Sequence, residues 1–516
     1  MKIIIQAGGK GTRLGKLTLN KPKCLAPVNN LPIIFHIFNK FPNSEFIIIG
    51  DYKYEVLENY LKTFAKVKYT LIKASGEGNI CGIKKALDYI SDNEQFMLIW
   101  SDLILSNEFL SNPIDKNKSY IGLSETFKCS WSFQNGKLDK AASKEYGVAG
   151  CYIFNNKDKF TGIPQTGSFT VWLKNSGIEL TPLSMAGSVE TGTIDAIHKI
   201  SPVENRCRPY NKMEFTKDKV IKTGLTEEGR KLIEREVVWY EQMNKYGFGA
   251  IPRIYSLNPL TMEKINGNNI FNTKLLQNEK KKVIDKLIQS VDKMHSFENK
   301  PASTEDIIQE YYTKTIHRLE SIKGAIPFAG NKQIYINGKK CKNILTDPEI
   351  LKNLVKSNLL STTYCPIHGD CTLTNTLINN EGNIYFIDAR GYFGQEKVLG
   401  DIRYDWAKLY YSIAGNFDQF NIKNFDLIIT DLEVNYKIHT DGWDEVTEYF
   451  ISKLKNVKLK EIQLIHAVIW LSLASHAWED FDSMCVAYYN GLYLLNEWIE
   501  GEKHAFKREY FETITA

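Results

Sequence analysis

Up to about Lys199, short apolar runs alternate with longer stretches of helical period. Ile3-Ile4-Ile5 and the segments EFIIIGD, YTLIKA and FMLIWSD read as buried strands, and KYEVLENYLKTFA reads as an amphipathic helix. Strands alternating with helices predict an α/β unit whose sheet is mostly parallel, with helices on both faces. After ISPVENRCRPYNK the texture changes. A strand pair, NKMEFTKDKVIKTG, leads into a long helix, EEGRKLIEREVVWYEQMNKYG. IPRIYSL and a strand LTMEKI follow, and mainly helical patterns run to the end. The pattern predicts one domain over residues 1-203 and a second over 204-516, with no internal repeat or low-complexity tract.

Composition adds exclusions. A chain of 516 residues holds two or three domains that each bury a core. Its apolar share of 43% and charged share of 24% are ordinary for globular proteins. The formal charge of +5 is small for this length, and the longest basic run, Lys280-Lys281-Lys282, reads as the solvated face of a helix, so nucleic acid is a poor partner. Nine cysteines without metal spacing read as buried thiols in a reducing compartment. LIHAVIWLSLASHAW is shorter than the ~20 residues of a membrane span and reads as a buried helix. No signal peptide precedes the first strand, and a cytoplasmic location is expected.

The first strand runs into the turn AGGKGTRLGKLTLNKPKCLAPV. Gly9-Lys-Gly11 is two thirds of a dinucleotide-binding fingerprint, but Leu14 takes the third glycine position, where it would spoil close strand–helix packing. The loop is also basic, with Lys10, Arg13 and Lys21-Pro22-Lys23. Several cations beside glycines suit a triphosphate whose charge must be neutralised during reaction. Asp102 ends the strand FMLIWSD, facing the crevice at the carboxyl end of a parallel sheet, and GSVETGT supplies Glu190.

GGKGTRL with NKPKCLAPVNNLPIIFHIF resembles the nucleotidylyltransferases that join a nucleoside triphosphate to a phosphorylated sugar or alcohol, over roughly the first two hundred residues. The resemblance implies a Rossmann-like nucleotidylyltransferase sheet in which Gly8, Gly9 and Gly11 wrap the nucleotide. Arg13 would hold the triphosphate and Lys23 would steady charge at the α-phosphate. Asp102 and Glu190, the latter where an aspartate is more usual, would hold Mg²⁺.

A second constellation lies in YCPIHGDCTLTNTLINNEGNIYFIDARGYFG. An aspartate to orient a hydroxyl, with an amide and a second carboxylate to hold metal, is the minimum equipment of a kinase site. Asp370, Asn375 and Asp388 supply it, and Lys222 on KVIK with Glu236 on the next helix completes it, Glu234 competing for the last place. The motif H-G-D-x-x-x-x-N followed by I-D resembles the aminoglycoside phosphotransferase and choline kinase family over roughly residues 205 to 500. That likeness implies a two-lobed protein-kinase-like α+β domain. Asp370 becomes the base, Asn375 and Asp388 ligands of Mg²⁺, Lys222 the contact to ATP phosphates, and Met262 to Ile265 the hinge touching adenine. His368 would support the loop's backbone and Asp405 would tie it down. The first strand pair has no glycine-rich loop to cover the phosphates. Trp470, Trp478 and Trp498, beside Glu479 and Asp480, could cage a cationic acceptor. Aromatics at helical spacing are more often core, and His466 and His476 read as packed helix residues.

Two such domains imply consecutive steps, in which a hydroxyl metabolite is phosphorylated with ATP and the phosphomonoester is then coupled to a nucleotide. One version takes a small alcohol, polyol or amino alcohol and CTP. The other takes a sugar at its anomeric hydroxyl and makes a UDP- or GDP-sugar. By resemblance, such products feed surface polysaccharide or lipid decoration. The expected partners are therefore a small-molecule acceptor, ATP and a second nucleoside triphosphate. Self-assembly into a homo-oligomer stays open.

Overall fold

The structure, a computed structural model, describes residues 1–74, 76–111, 113–201 and 211–501. The expected boundary at 203 lies outside the described residues. The chain divides into two compact units, Met1–Arg206 with Glu479–Phe481, and Cys207–Trp478 with Asp482–Ala516.

In the first unit, β1 (Lys2–Gln6) lies between β2 (Glu45–Gly50) and β4 (Phe96–Trp100), with β3 (Lys68–Lys73) outside β2, and all four are parallel. Ile3, Ile4 and Ile5 have no exposed surface, as a continuous β-branched run requires in a sheet covered on both faces. Ile4 sits opposite Ile47 of β2 and Leu98 of β4. These three join Phe96, Phe154 and Phe169 in one apolar cluster. Helix α1 (Ile33–Lys40) opens that cluster's counterpart around Leu14, Ala26, Val28 and Ile33, and the amphipathic helix expected after β2 is α2 (Tyr54–Phe64). The chain leaves β1 for β2 on one side and reaches β4 on the other, so the strand order reverses at β1. A crevice at such a reversal, outside the carboxyl ends of the strands, is where open α/β sheets place ligands. The sheet grows to nine strands beyond β4 through antiparallel pairings and one parallel pair, Thr181–Ser184 with Tyr120–Ser124, so it is parallel at its centre and mixed at one side. Two short strands, β5 (Leu103–Ile104) and β6 (Val189–Glu190), pair antiparallel next to the crevice.

The second unit opens with β7 (Asn211–Phe215), β8 (Lys219–Gly224), β9 (Ile254–Leu257) and β10 (Leu260–Glu263) in an antiparallel sheet of order β7-β8-β10-β9. Between β8 and β9 runs α3 (Glu227–Lys245), whose Thr226 hydroxyl accepts from the Gly229 amide at 3.0 Å. Its buried stripe, Ile233, Glu236, Trp239, Tyr240 and Met243, has the spacing of one helical face. Lys264 to Asn266 connect β10 to β11 (Gly267–Asn269), which pairs with β12 (Thr376–Asn379), itself paired with β13 (Ile384–Phe386). Helices α4 (Gln277–His295), α5 (Lys314–Ile322), α6 (Ile402–Ile413) and α7 (Leu459–Leu473) complete the part used below. The apolar segment expected as a buried helix is α7, buried from Leu464 to Ser472.

One expectation is extended and one corrected. The region after β10 is mainly helical as expected, but Gln333–Ile336, Lys339–Lys342, Phe425–Ile429 and Glu433–Ile438 add a four-stranded sheet to it. Lys280 does not belong to a solvated face. It is 8% exposed, its Nζ donates to the Asp441 carbonyl at 3.0 Å and lies 5.3 Å from the Trp443 ring centroid. Among the described residues, no helix is long and apolar enough to cross a membrane.

Candidate active sites

At the end of β1 the chain turns sharply. A side chain at Gly8 would come within 2.9 Å of the Asp51 Cβ, and Gly11 has φ +69° with Lys23 packed on it. Gly9 has nothing within 4 Å of its missing Cβ, so its bareness leaves room for a ligand to approach the backbone. The Leu14 side chain is fully buried against Ala26, Val28, Ile33 and Ile197. The position a dinucleotide fold needs as glycine is here a core residue.

The four polar residues expected at this end converge in two ion pairs. Nζ of Lys23 contacts the Asp102 carboxylate, and both side chains are largely buried. Nη2 of Arg13 lies 3.2 Å from Oε1 of Glu190. The β5–β6 pair sets Glu190 opposite Leu103, next to Asp102, and both the amide and the hydroxyl of Thr191 donate to the Asp102 carbonyl at 2.8 Å. A side chain at Gly192 would overlap Oε1 of Glu190 and lie 2.8 Å from Nη2 of Arg13, which explains the glycine in ETGT. Burial, with the charges of Glu190 and Asp102, pushes the nearby Cys129 thiol up to about 12, so it stays a thiol. A cavity of about 380 Å³ opens here, bounded by Gly8, Gly9, Lys23, Asp102, Asn79 and Trp100. Gln6, also on its wall, is held by bonds to the carbonyls of Asn79 (2.7 Å) and Cys81 (3.0 Å). Lys21 is fully buried and is not part of the exposed basic loop.

Two carboxylates with oxygen donors suit a hard cation. No group of three His, Cys, Asp or Glu side chains stands ready for a metal among the described residues. The donor set of Asp102 and Glu190 therefore fits an ion such as Mg²⁺ that keeps waters and phosphate oxygens as its other ligands.

In the second unit, Lys222 of β8 is 9% exposed, and its Nζ lies 2.6 Å from Oε2 of Glu236 and contacts the Asp388 carboxylate. Glu236 is the partner and Glu234 is exposed, which settles the choice between them. Burial opposes the charge of Lys222, but the two carboxylates outweigh it and raise its pKa. Burial pushes Glu236 up to about 7 against the pull of Lys222. Asp388 is held below the usual carboxylate range, since Lys222 outweighs its burial. Its φ of +56° is a left-handed conformation that a non-glycine residue seldom adopts, and such strain clusters at functional sites.

The Asn375 amide nitrogen donates to both the carbonyl and Oδ2 of Asp370 at 2.9 Å, leaving its own oxygen for another ligand. That oxygen and the Asp388 carboxylate form a second oxygen donor set that fits the same kind of ion. Asp405 accepts from the amides of His368 (2.9 Å) and Gly369 (2.7 Å) and so ties the loop down, with His295 Nε2 3.1 Å away. Burial keeps the His368 imidazole below its usual pKa. Its neutral Nδ1 accepts from the Asp370 amide at 3.1 Å, so Nε2 carries the proton that bonds the Ile387 carbonyl at 3.0 Å. Met262 is buried on β10 opposite Val220, and Ile265 is half-buried in the connection to β11. Trp470 cannot wall an open cage. It is fully buried against Tyr411 and Phe420 and bonds His466 at 2.9 Å, while Trp498 bonds the Lys460 carbonyl at 2.7 Å.

One residue escaped the sequence reading. Lys408 of α6 places Nζ 2.9 Å from Oδ1 of Asp370. It follows Asp405 by three positions, which puts both on one helix face toward the loop. That spacing was the available signal.

The family described as nucleotidyl transferase matches residues 2–127. The bifunctional protein GlmU of Methanocaldococcus jannaschii is 34% identical over 110 residues, 21% of this chain and 26% of that protein. The D-glycero-alpha-D-manno-heptose 1-phosphate guanylyltransferase of Campylobacter jejuni is 37% identical over 105 residues, 19% of this chain and 46% of that protein. The glucose-1-phosphate cytidylyltransferase of Salmonella typhimurium is 25% identical over 260 residues, 45% of this chain and 97% of that protein. The chain thus spans about a quarter and about half of the lengths of the first two. The amino-terminal part of the chain carries a nucleotidyltransferase domain resembling the sugar-phosphate nucleotidylyltransferases.

Proposed function

We propose that the chain is a bifunctional enzyme that phosphorylates a small hydroxyl metabolite with ATP and then couples the phosphomonoester to a nucleotide, releasing pyrophosphate. The reading is carried by one arrangement found in both units, a lysine set on an acidic residue at a loop bearing further polar groups: Lys23 on Asp102, and Lys222 on Asp388.

In the first step Asp370 orients the acceptor hydroxyl and takes its proton as the oxygen attacks the γ-phosphorus. Lys222, fixed by Glu236, holds the nucleotide phosphates. In the second step a phosphate oxygen of the product attacks the α-phosphorus of the second nucleotide, and Arg13 and Lys23 neutralise the charge that builds up. Both displacements need in-line placement and charge neutralisation rather than a protein nucleophile. Magnesium, held by Asp102 and Glu190 in one unit and by Asn375 and Asp388 in the other, would add neutralisation at the phosphates.

The cytidylyltransferase relative supports CTP as the second nucleotide. The heptose 1-phosphate guanylyltransferase relative favours the other version, a sugar phosphorylated at its anomeric hydroxyl and joined to GMP. The test is to incubate the full chain with Mg²⁺, ATP and CTP, UTP or GTP over a panel of alcohols, polyols and sugars, and to identify the products by mass spectrometry. The reading expects ADP, pyrophosphate and a nucleoside diphosphate conjugate of one acceptor. Pyrophosphate release without ADP from any acceptor would leave only the transferase.

A further inference from the structure

The surroundings of Asp370 carry more positive charge than the protein itself balances. Glu310, 2% exposed at its side chain, contacts both Arg390 and Lys314 through the same oxygen. Lys408 pairs with Asp370, and among the described residues Arg318 hydrogen-bonds a neutral group, the Ser472 hydroxyl, at 2.6 Å. The guanidinium carbons of Arg390 and Arg235 each lie 4.2 Å from the Tyr392 ring centroid. Lys314, Arg318, Arg390 and Lys408 thus gather beside two carboxylates, Glu310 and Asp370, with Arg235 at the Tyr392 ring. The side chains of Lys314, Arg390 and Lys408 are 18%, 13% and 13% exposed, and burial together with Arg390, Arg318 and Lys408 drives the Lys314 pKa well below its usual value. Gathering like charges away from water is costly unless opposite charge is supplied. The field is visible in Tyr392. Burial raises its phenol pKa, yet Arg390, Arg318 and Arg235 together bring it below the ordinary value.

This cluster adjoins the loop that carries Asp370. Arg390 packs on Gly369, where a side chain would come within 2.9 Å of the Arg390 Cβ, and its amide donates to the His368 carbonyl at 2.9 Å. Lys222 is balanced by its own carboxylates, Glu236 and Asp388, so the nucleotide end of the site is provided for separately. We propose that the cluster of Lys314, Arg318, Arg390 and Lys408 binds the acceptor, and that this acceptor is an anion, a hydroxyl compound bearing a carboxylate, phosphonate or sulfonate. The inference rests on the kinase reading and sharpens its substrate class. A cationic amino alcohol would add charge of the wrong sign, and the fully buried Trp470 offers it no cage.

The test pairs acceptors of matched shape and different charge, D-glycerate against glycerol and serinol, and 2-hydroxyethylphosphonate against ethanolamine and choline. ADP formation by the full chain is followed with Mg²⁺ and ATP. The anionic member of a pair is expected to lead in kcat/KM by about 10²-fold, the scale of one or two charged hydrogen bonds. In Arg318→Gln and Lys408→Gln the KM for that acceptor should rise at least about tenfold while the KM for ATP stays constant. Preference for a neutral or cationic member overturns the inference and leaves the kinase standing. A rise in the ATP KM with the acceptor KM unmoved assigns the cluster to nucleotide phosphates and also overturns it. Should no acceptor be phosphorylated, the kinase reading fails on its own. Calorimetry with inorganic phosphate then judges the cluster, which is expected to show a bound ion lost in the Arg318→Gln/Lys408→Gln double variant. Identical binding by wild type and double variant overturns the inference.

Discussion

Lys222 and Glu236 stand 14 positions apart in the chain, yet Nζ and Oε2 meet at 2.6 Å in the buried face between β8 and α3. The pair fixes the ammonium before any ligand arrives. Glu236→Gln should free it and lower phosphoryl transfer about 10- to 10²-fold, with nucleotidyl transfer unchanged. Separate assays of ADP and pyrophosphate release check this.

The same residue makes a pH prediction. Burial lifts the Glu236 carboxyl from 4.5 to about 7, so between those values the folded protein holds a proton that the unfolded chain has released. Stability should therefore fall as pH rises through that window. In Glu236→Gln this part of the slope should vanish. Thermal melts of both proteins from pH 4.5 to 8 measure it.

Arg13→Ala removes a guanidinium from the phosphate end of the first unit. Nucleotidyl transfer should drop by about 10²–10³ and phosphorylation should not change. A normal rate of pyrophosphate release would take Arg13 out of the mechanism.

Gly192→Ala tests the neighbouring pair without deleting a charge. The added methyl group would collide with Glu190 and Arg13, so nucleotidyl transfer should fall about tenfold or more while the melting temperature changes little. An unchanged rate would show that the Arg13–Glu190 contact is incidental.

Asp370→Asn separates the two steps. Phosphorylation should collapse while ATP still binds, because Lys222 and Asp388 are untouched. Supplied with the already phosphorylated acceptor, the variant should form the nucleotide conjugate at the normal rate. Failure of that rescue would overturn the order of steps.

Sequence patterning reached most of this because the informative residues sit in short, strongly patterned segments. The run Ile3-Ile4-Ile5 has one stable home, the middle of a sheet, and the glycines after it follow from the turn that sheet imposes. Glu236 was legible only in part: its place on the helix after Lys222 left Glu234 as a rival, and burial on the inner stripe of α3, where only a paired carboxylate is tolerated, separates the two. Lys408 was harder, since its meaning depends on a loop nearly forty residues upstream. The sheet between Gln333 and Ile438 was missed although it carries a sign. Asn337 and Gly338, with φ of 48° and 73°, form a two-residue hairpin turn between strands only four residues long. Strands that short leave too few alternations to outweigh the helical periods around them. Lys280 was misread because a lysine whose ammonium lies over the Trp443 ring and bonds a carbonyl looks, in sequence, like any solvated cation.

Each centre keeps its own counterion at rest. Lys23 occupies Asp102 and Lys222 occupies Asp388, so a lone metal ion meets a carboxylate already spoken for and a lone phosphate meets an ammonium already engaged. On the proposed reading, a magnesium nucleotide brings both charges at once. There the Asp102 and Asp388 carboxylates would turn to the ion and the Lys23 and Lys222 ammoniums to the phosphates, with the number of opposite-charge contacts conserved. Such a centre admits the complex in preference to its parts, and bare Mg²⁺ should bind measurably more weakly than Mg²⁺ delivered with nucleotide.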